Sequence, residues 1–322
     1  MPSRASYYPV LLQSDSLQTE SQVRPTTVLL HGLWAPTLLM RPLQWQLRQR
    51  GHRALLARQR DWALTPAANA NALAQWLGSL DADAAADTQS GASVAAAGWA
   101  TEPAADVTQE SGSIDFPAAA SRPPTNNTPA GKSPLHLVGH SLGGIVLLHL
   151  MAQLEASAAA RTADVAQNPQ AQPSISFGKS GGVAIDPVLG AGLLQRIVSV
   201  QLVACPCQGS AVARRFASKA WRASLLGKSV HQGVLGEVPA WTRHDVPLGV
   251  IRGTRSRGLG HMLMRTASVG DGVLSLPEAD TAAARDRADL PASHSGLLFS
   301  SLCADYLDRF VRHRHYASAG AQ

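Results

Sequence analysis

Gly139-His140-Ser141-Leu142-Gly143 is the stretch of this chain best suited to chemistry. A serine hydroxyl becomes a nucleophile when a base takes its proton and a third group orients that base. The flanking residues set the context. Leu135 to Val138 reads as a buried strand, and Leu142 to Ala156 reads as a helix rich in Ala and Leu. A Gly-x-Ser-x-Gly turn between strand and helix is a nucleophile elbow. The turn forces the serine into a strained backbone, and glycines are needed where a side chain would strike the neighbouring strand or helix. The hydroxyl is then presented at a helix N-terminus, where free N–H groups favour negative charge.

The base is sought downstream of Ser141, among His149, His231, His244, His261, His294, His313 and His315. His294 is the best placed, in the loop Ser293-His294-Ser295-Gly296 just before the last helical segment. His149 lies two turns into the elbow helix and points away. His313 and His315 belong to a charged tail that reads as solvated. For the acid, Asp271 stands in Gly270-Asp271-Gly272, a turn sequence that can present a carboxylate. Asp186, in Ile185-Asp186-Pro187, and Asp280 are the alternatives. Two N–H donors are needed for the oxyanion. Leu142, after the nucleophile, supplies one. The loop His31-Gly32-Leu33-Trp34 supplies the other through Leu33, with Gly32 permitting close approach. His31 is read as structural, hydrogen-bonding that loop.

These residues need a scaffold. Thr26 to Leu30, His52 to Ala57, Leu135 to Val138, Ile197 to Ala204 and Leu248 to Arg252 read as strands. Pro36 to Gln49, Pro66 to Leu80, Leu142 to Ala156 and Leu297 to Val311 read as helices. Alternation of this kind implies a mainly parallel sheet with helices on both faces. Residues 81–132 and 161–182 carry few large apolar side chains and are read as flexible insertions in a single domain, 1–322. Gly209 to Val234, within a cap near 209–240, mixes Val212, Phe216, Trp221, Leu225, Leu226 and Val230 with five basic residues. That mixture fits either a mobile lid at a lipid interface or a plain cap helix.

Composition narrows the function classes. Of 322 residues, 45% are hydrophobic and 16% charged, which is globular. No apolar run reaches the roughly 20 residues of a membrane span, and the first 22 residues lack the apolar core of a signal peptide. A cytoplasmic location is expected. The net charge of +6 is scattered, and no nucleic-acid motif accompanies it. Cys205, Cys207 and Cys303 give no disulfide framework. Cys205 and Cys207 are placed two apart on one strand face, where they are poorly set to bridge.

With these motifs in place the chain resembles the α/β-hydrolase superfamily, and within it the bacterial lipases and esterases. The segments that carry the likeness are Val28-Leu29-Leu30-His31-Gly32-Leu33-Trp34, Val138-Gly139-His140-Ser141-Leu142-Gly143-Gly144, Gly270-Asp271-Gly272-Val273 and Ser293-His294-Ser295-Gly296. The resemblance implies an α/β-hydrolase fold with a small cap or lid. It implies a Ser141, Asp271, His294 triad and an oxyanion hole at Leu33 and Leu142. Leu33, Trp34 and Leu142 make the pocket rim apolar, with Trp34 as a substrate contact, which suits acyl chains. The expected activity is hydrolysis of carboxylic esters through an acyl-enzyme. Amide hydrolysis, acyl transfer to another acceptor, and a non-catalytic binding role remain as alternatives. No cofactor, metal or stable protein partner is expected. The expected partners are a small-molecule or lipid ester and, transiently, a lipid interface.

Overall fold

The structure is a computed structural model that describes residues 24–33, 37–90, 132–167, 185–218, 227–256 and 269–316, with 81–90 and 164–167 by backbone alone. Six strands form one parallel sheet: β1 (Thr26–Leu30), β2 (Arg53–Ala57), β3 (Leu135–His140), β4 (Ile197–Val203), β5 (Leu248–Gly253) and β6 (Asp286–Leu290). Their order across the sheet is β2-β1-β3-β4-β5-β6. The chain runs outward from β1 to β2, then returns to β3 and proceeds the other way. The switch point therefore falls between β1 and β3, where the connections leave in opposite directions and open a crevice at the carboxyl ends.

Helices cover both faces because the strands are apolar on both. In β1, Val28 and Leu30 face one core while Leu29 faces the other, as period-two alternation requires. The first core is closed by α2 (Pro66–Ser90), α3 (Leu142–Gln167) and α4 (Pro187–Arg196). The second is closed by α1 (Arg41–Gln49) and α6 (Ser301–His313), with Met40, Leu43, Leu47, Leu307 and Phe310 fully buried. A short α5 (Ala211–Ala217) follows β4, capped by Ser210 Oγ accepting from Ala213 N–H at 3.2 Å. α3 is long and apolar enough to cross a membrane by length and composition, yet most of it lies inside the molecule, against β3, α2 and α4.

Several elements differ from the sequence reading. α2 continues to Ser90 and α3 to Gln167, so both supposed insertions begin as helix. Ala-rich sequence is low in bulk but high in helix propensity, so helix and linker read alike there. Residues 91–131 and 168–184 lie outside the described residues. The expected helix from Pro36 is a 3-10 turn, Thr37–Met40, with the α-helix starting at Arg41. β6 carries the sequence Asp-Arg-Ala-Asp-Leu and was not foreseen, because only Ala288 and Leu290 are buried at this sheet edge. Cys205 and Cys207 are not on a strand. β4 ends at Val203, and Cys207 N–H donates to Cys205 O in the turn beyond it. The terminal tail is only partly solvated: Arg314 caps α6 in the left-handed region, at φ 64°, and is buried.

Candidate active site

Ser141 follows directly on β3 at the switch point, with φ at +53°. For a residue with a Cβ this conformation costs about 1–3 kcal/mol, so the surroundings must hold it. They do so by backbone bonds and by close packing. Ser141 N–H donates to Val203 O at 2.9 Å, and Ala204, itself at φ 47°, donates to Ile251 O at 2.8 Å. The elbow is thus tied through the end of β4 to β5. A Cβ on Gly139 would stand 2.6 Å from the backbone of Gly144, and one on Gly143 would stand 2.6 Å from His31 O. Those contacts are with backbone and cannot yield. A Cβ on Gly144 would meet the side chain of Cys205, 2.5 Å from its Sγ, so this buried cysteine packs against the first turn of α3.

The loop after β1 arrives at the other side of the crevice. A Cβ at residue 32 would lie 2.9 Å from Ser141 Cβ and 3.0 Å from His140 Nδ1, so glycine is what lets this loop touch the elbow. His31 is buried, and its Nδ1–H donates to Gly32 O at 2.9 Å, while Gln59 donates to His31 O at 2.6 Å. His31 also faces the Asp61 carboxylate at 3.9 Å. Burial pushes the Asp61 carboxyl up to about 6, against the pull of His31 and a bond from Gln59. Leu33, half-buried, packs on the core beneath α3. The N–H of Leu142 opens α3, where no intrahelical acceptor exists. Trp34 lies outside the described residues.

Asp271 and His294 come together from loops flanking β6. Asp271 Oδ2 accepts from His294 Nδ1 at 2.7 Å, and Asp271 O accepts from His294 N at 3.0 Å. The other carboxylate oxygen accepts from Val273 N at 2.8 Å and Leu274 N at 2.7 Å, which closes the turn that Gly272, at φ 94°, makes feasible. Burial alone would raise the Asp271 carboxyl; the His294 charge, its hydrogen bond and the two backbone N–H groups outweigh it and hold the group below the ordinary carboxylate value. Asp271 is 1% exposed and the His294 side chain 13%. With Nδ1–H committed to Asp271, Nε2 of a neutral His294 is left as an acceptor. The Ser141–His294 hydrogen bond is not closed in this structure: among the described residues Ser141 Oγ has no hydrogen-bond partner. Catalytic hydrogen bonds often tighten only when substrate is bound.

The other carboxylates are engaged elsewhere. Asp186 caps α4, accepting from Val188 N and Leu189 N. Asp280 binds Arg252 at 3.0 Å and Arg287 at 2.7 Å. Among the described residues no group of His, Cys, Asp and Glu gathers in a metal-holding arrangement.

One residue of the site escaped the sequence reading. His140 sits beneath the loop of His294, its Nε2 3.0 Å from His294 O and the two rings 4.8 Å apart. The cap expected near 209–240 is described over 209–218 and 227–240. Gly227–Ser229 turns into a π-helical turn, Val230–Val234, that lies over the start of α3. A Cβ on Gly233 would be 3.4 Å from Ile145 and 3.5 Å from Leu142. Buried Ser229 donates to Leu64 O at 2.6 Å and accepts from buried Asn69 at 3.2 Å. This part of the cap is pinned by polar bonds. Trp221, Leu225 and Leu226 lie outside the described residues.

No protein-family model and no curated protein matches the sequence. Solved structures do. The mature form of the Bacillus licheniformis lipase BlEst2 superposes with a TM-score of 0.56 over 92% of this chain and 96% of its own, at 13% identity. Its propeptide form superposes with a TM-score of 0.50 over 93% of this chain, also at 13% identity, and the overlap is about half (52%) of that longer chain. At this identity the likeness is one of fold, and the fold is that of the α/β-hydrolases.

Proposed function

We propose that this chain, an α/β-hydrolase by fold, is a serine hydrolase that cleaves carboxylic esters. The observation that carries the reading is the Asp271–His294 pair at 2.7 Å, joined through the His294 carbonyl to His140, the residue before a serine at φ +53°. Ser141 is the nucleophile, His294 the base and Asp271 the orienting carboxylate. Asp271 accepts from Nδ1–H, which leaves Nε2 free to take the serine proton as Oγ bonds to the ester carbonyl carbon. The carbonyl oxygen becomes an oxyanion and accepts from Leu142 N–H and Leu33 N–H. His294 returns the proton to the departing alcohol. Water, deprotonated by the same Nε2, then attacks the acyl-serine, and the acid leaves as Ser141 is re-protonated.

The surroundings favour an apolar acyl group. Leu142 and Ile145 are fully buried under the cap turn, whose Val230 and Val234 join the same core. The substrate is a small-molecule or lipid ester, and Trp34 is kept as a proposed contact. The test is turnover of p-nitrophenyl esters from short to long acyl chains, with Ser141→Ala as control. Serine-dependent release is expected, and the chain-length preference separates an esterase from a lipase. Equal rates for both proteins would reject the reading.

A further inference from the structure

His140 carries none of the roles above, yet it is the side chain that touches both halves of the site. It ends β3 and is 3% exposed. Its Nε2 is 3.0 Å from His294 O, and since a carbonyl only accepts, Nε2 carries the proton and donates. The tautomer is thereby fixed. Nδ1 is left as a bare acceptor, buried and, among the described residues, without a hydrogen-bond partner. What lies against it is the Cα of Gly32, where a Cβ would come within 3.0 Å. One imidazole therefore spans from the loop that follows β1 to the loop that carries His294. A buried acceptor without a donor costs about 1–3 kcal/mol, so the ring is not there for local stability alone.

We propose that His140 is a positioning residue: its Nε2–H bond to the His294 carbonyl sets the height of the His294 ring over Ser141, and its bare Nδ1 edge seats the Gly32 loop. The inference rests on the roles given above to Ser141, His294 and Asp271. It also explains why a histidine can stand there without spoiling the base. A charged ring 4.8 Å from His294 would oppose protonation of that ring. Burial, with His294 adding in the same direction, pushes His140 down to about 3, against the His294 carbonyl bond and the Asp271 charge, so it stays neutral across the working range.

The test compares His140→Leu, His140→Asn and His140→Gln in the full chain. Glutamine carries an amide N–H at about the reach of Nε2; asparagine and leucine do not. Three quantities are read: kcat and KM on the best p-nitrophenyl ester, the rate of fluorophosphonate labelling of Ser141, and the strongly downfield proton resonance of the His294–Asp271 bond. For Leu and Asn, kcat and labelling should fall on the order of 10²-fold, with KM within about twofold of wild type and the resonance broadened or lost. His140→Gln should recover most of all three. Should Leu fail to fold, the Gln–Asn contrast decides. The proposal is overturned if His140→Asn labels at the wild-type rate with an unchanged resonance, or if His140→Gln is as impaired as His140→Asn. A wild-type protein that shows the resonance but neither turns over esters nor labels would refute the esterase reading, and the resonance in His140→Asn against His140→Gln would then decide the His140 proposal.

Discussion

Asp271 shows how a single residue is made fit for one task. Four interactions converge on its carboxylate and its own carbonyl: two backbone N–H groups on Oδ1, the imidazole on Oδ2, and the His294 N–H on its main-chain oxygen. Asp271→Asn keeps the size and loses the charge that fixes the histidine tautomer. In the proposed reaction kcat should drop about 10⁴-fold, measured on the ester the wild type prefers. The same group sets a pH dependence of stability. Its folded value lies below its unfolded one, so its contribution is present above the unfolded value near 3.8 and is lost as pH falls through the folded one. Thermal unfolding from pH 6 to pH 3 should accordingly show a smaller loss of Tm in Asp271→Asn than in wild type; parallel curves would contradict the assignment. His140 belongs to this scale too, as a histidine kept neutral by burial beside the proposed base.

At the scale of elements, the site is a meeting of strand ends. β3 supplies the serine, β1 the Gly32 loop, and the loops around β6 the pair of Asp271 and His294. Close backbone approach is what the glycines provide. Gly32→Ala places a methyl 2.9 Å from Ser141 Cβ, so the loop must withdraw from the elbow. The expected result is a loss on the order of 10²-fold in kcat/KM, as for removal of one oxyanion donor, with Tm changed by only a few degrees. Full activity in Gly32→Ala would show that Leu33 N–H is not used. The cap turn obeys a different rule. Ser229 and Asn69 are buried and bonded to each other, and Ser229 N–H donates to Asp61 O at 3.1 Å. These bonds tie the segment to the residues just before and at the start of α2, over the first turn of α3.

On the scale of the whole molecule, the long low-bulk stretches raise the question of what can be removed. α2 runs to Ser90 and β3 begins at Leu135. Replacing 91–131 by a short Gly/Ser linker should preserve the soluble protein and its fluorophosphonate labelling. A deletion of 81–132 amputates the last ten residues of α2 and should lower Tm or yield. The opposite ranking would mean that 91–131 contributes to the core. Much of this molecule was legible in its residues. The elbow, the candidate pair of Asp271 and His294, and the parallel sheet follow from local chemistry: strand periodicity, glycines at turns, and a loop histidine ahead of the last helix. Helix ends were not legible, because Ala-rich helix and Ala-rich linker have the same composition. β6 was missed because an edge strand needs only two buried side chains. Nor did the sequence show that a second histidine meets a carboxylate in the same way. Thr27, His52 and Asp308 also form a hydroxyl–imidazole–carboxylate chain, at 2.8 and 2.7 Å. It lies at the start of β1, away from the switch point, with the His52 side chain fully buried and tying the sheet to α6. Residue types and spacing determined that such constellations would form. Only the tertiary structure decided which one opens onto the crevice and which is sealed, because access and the position of strand ends are set by packing far apart in the chain.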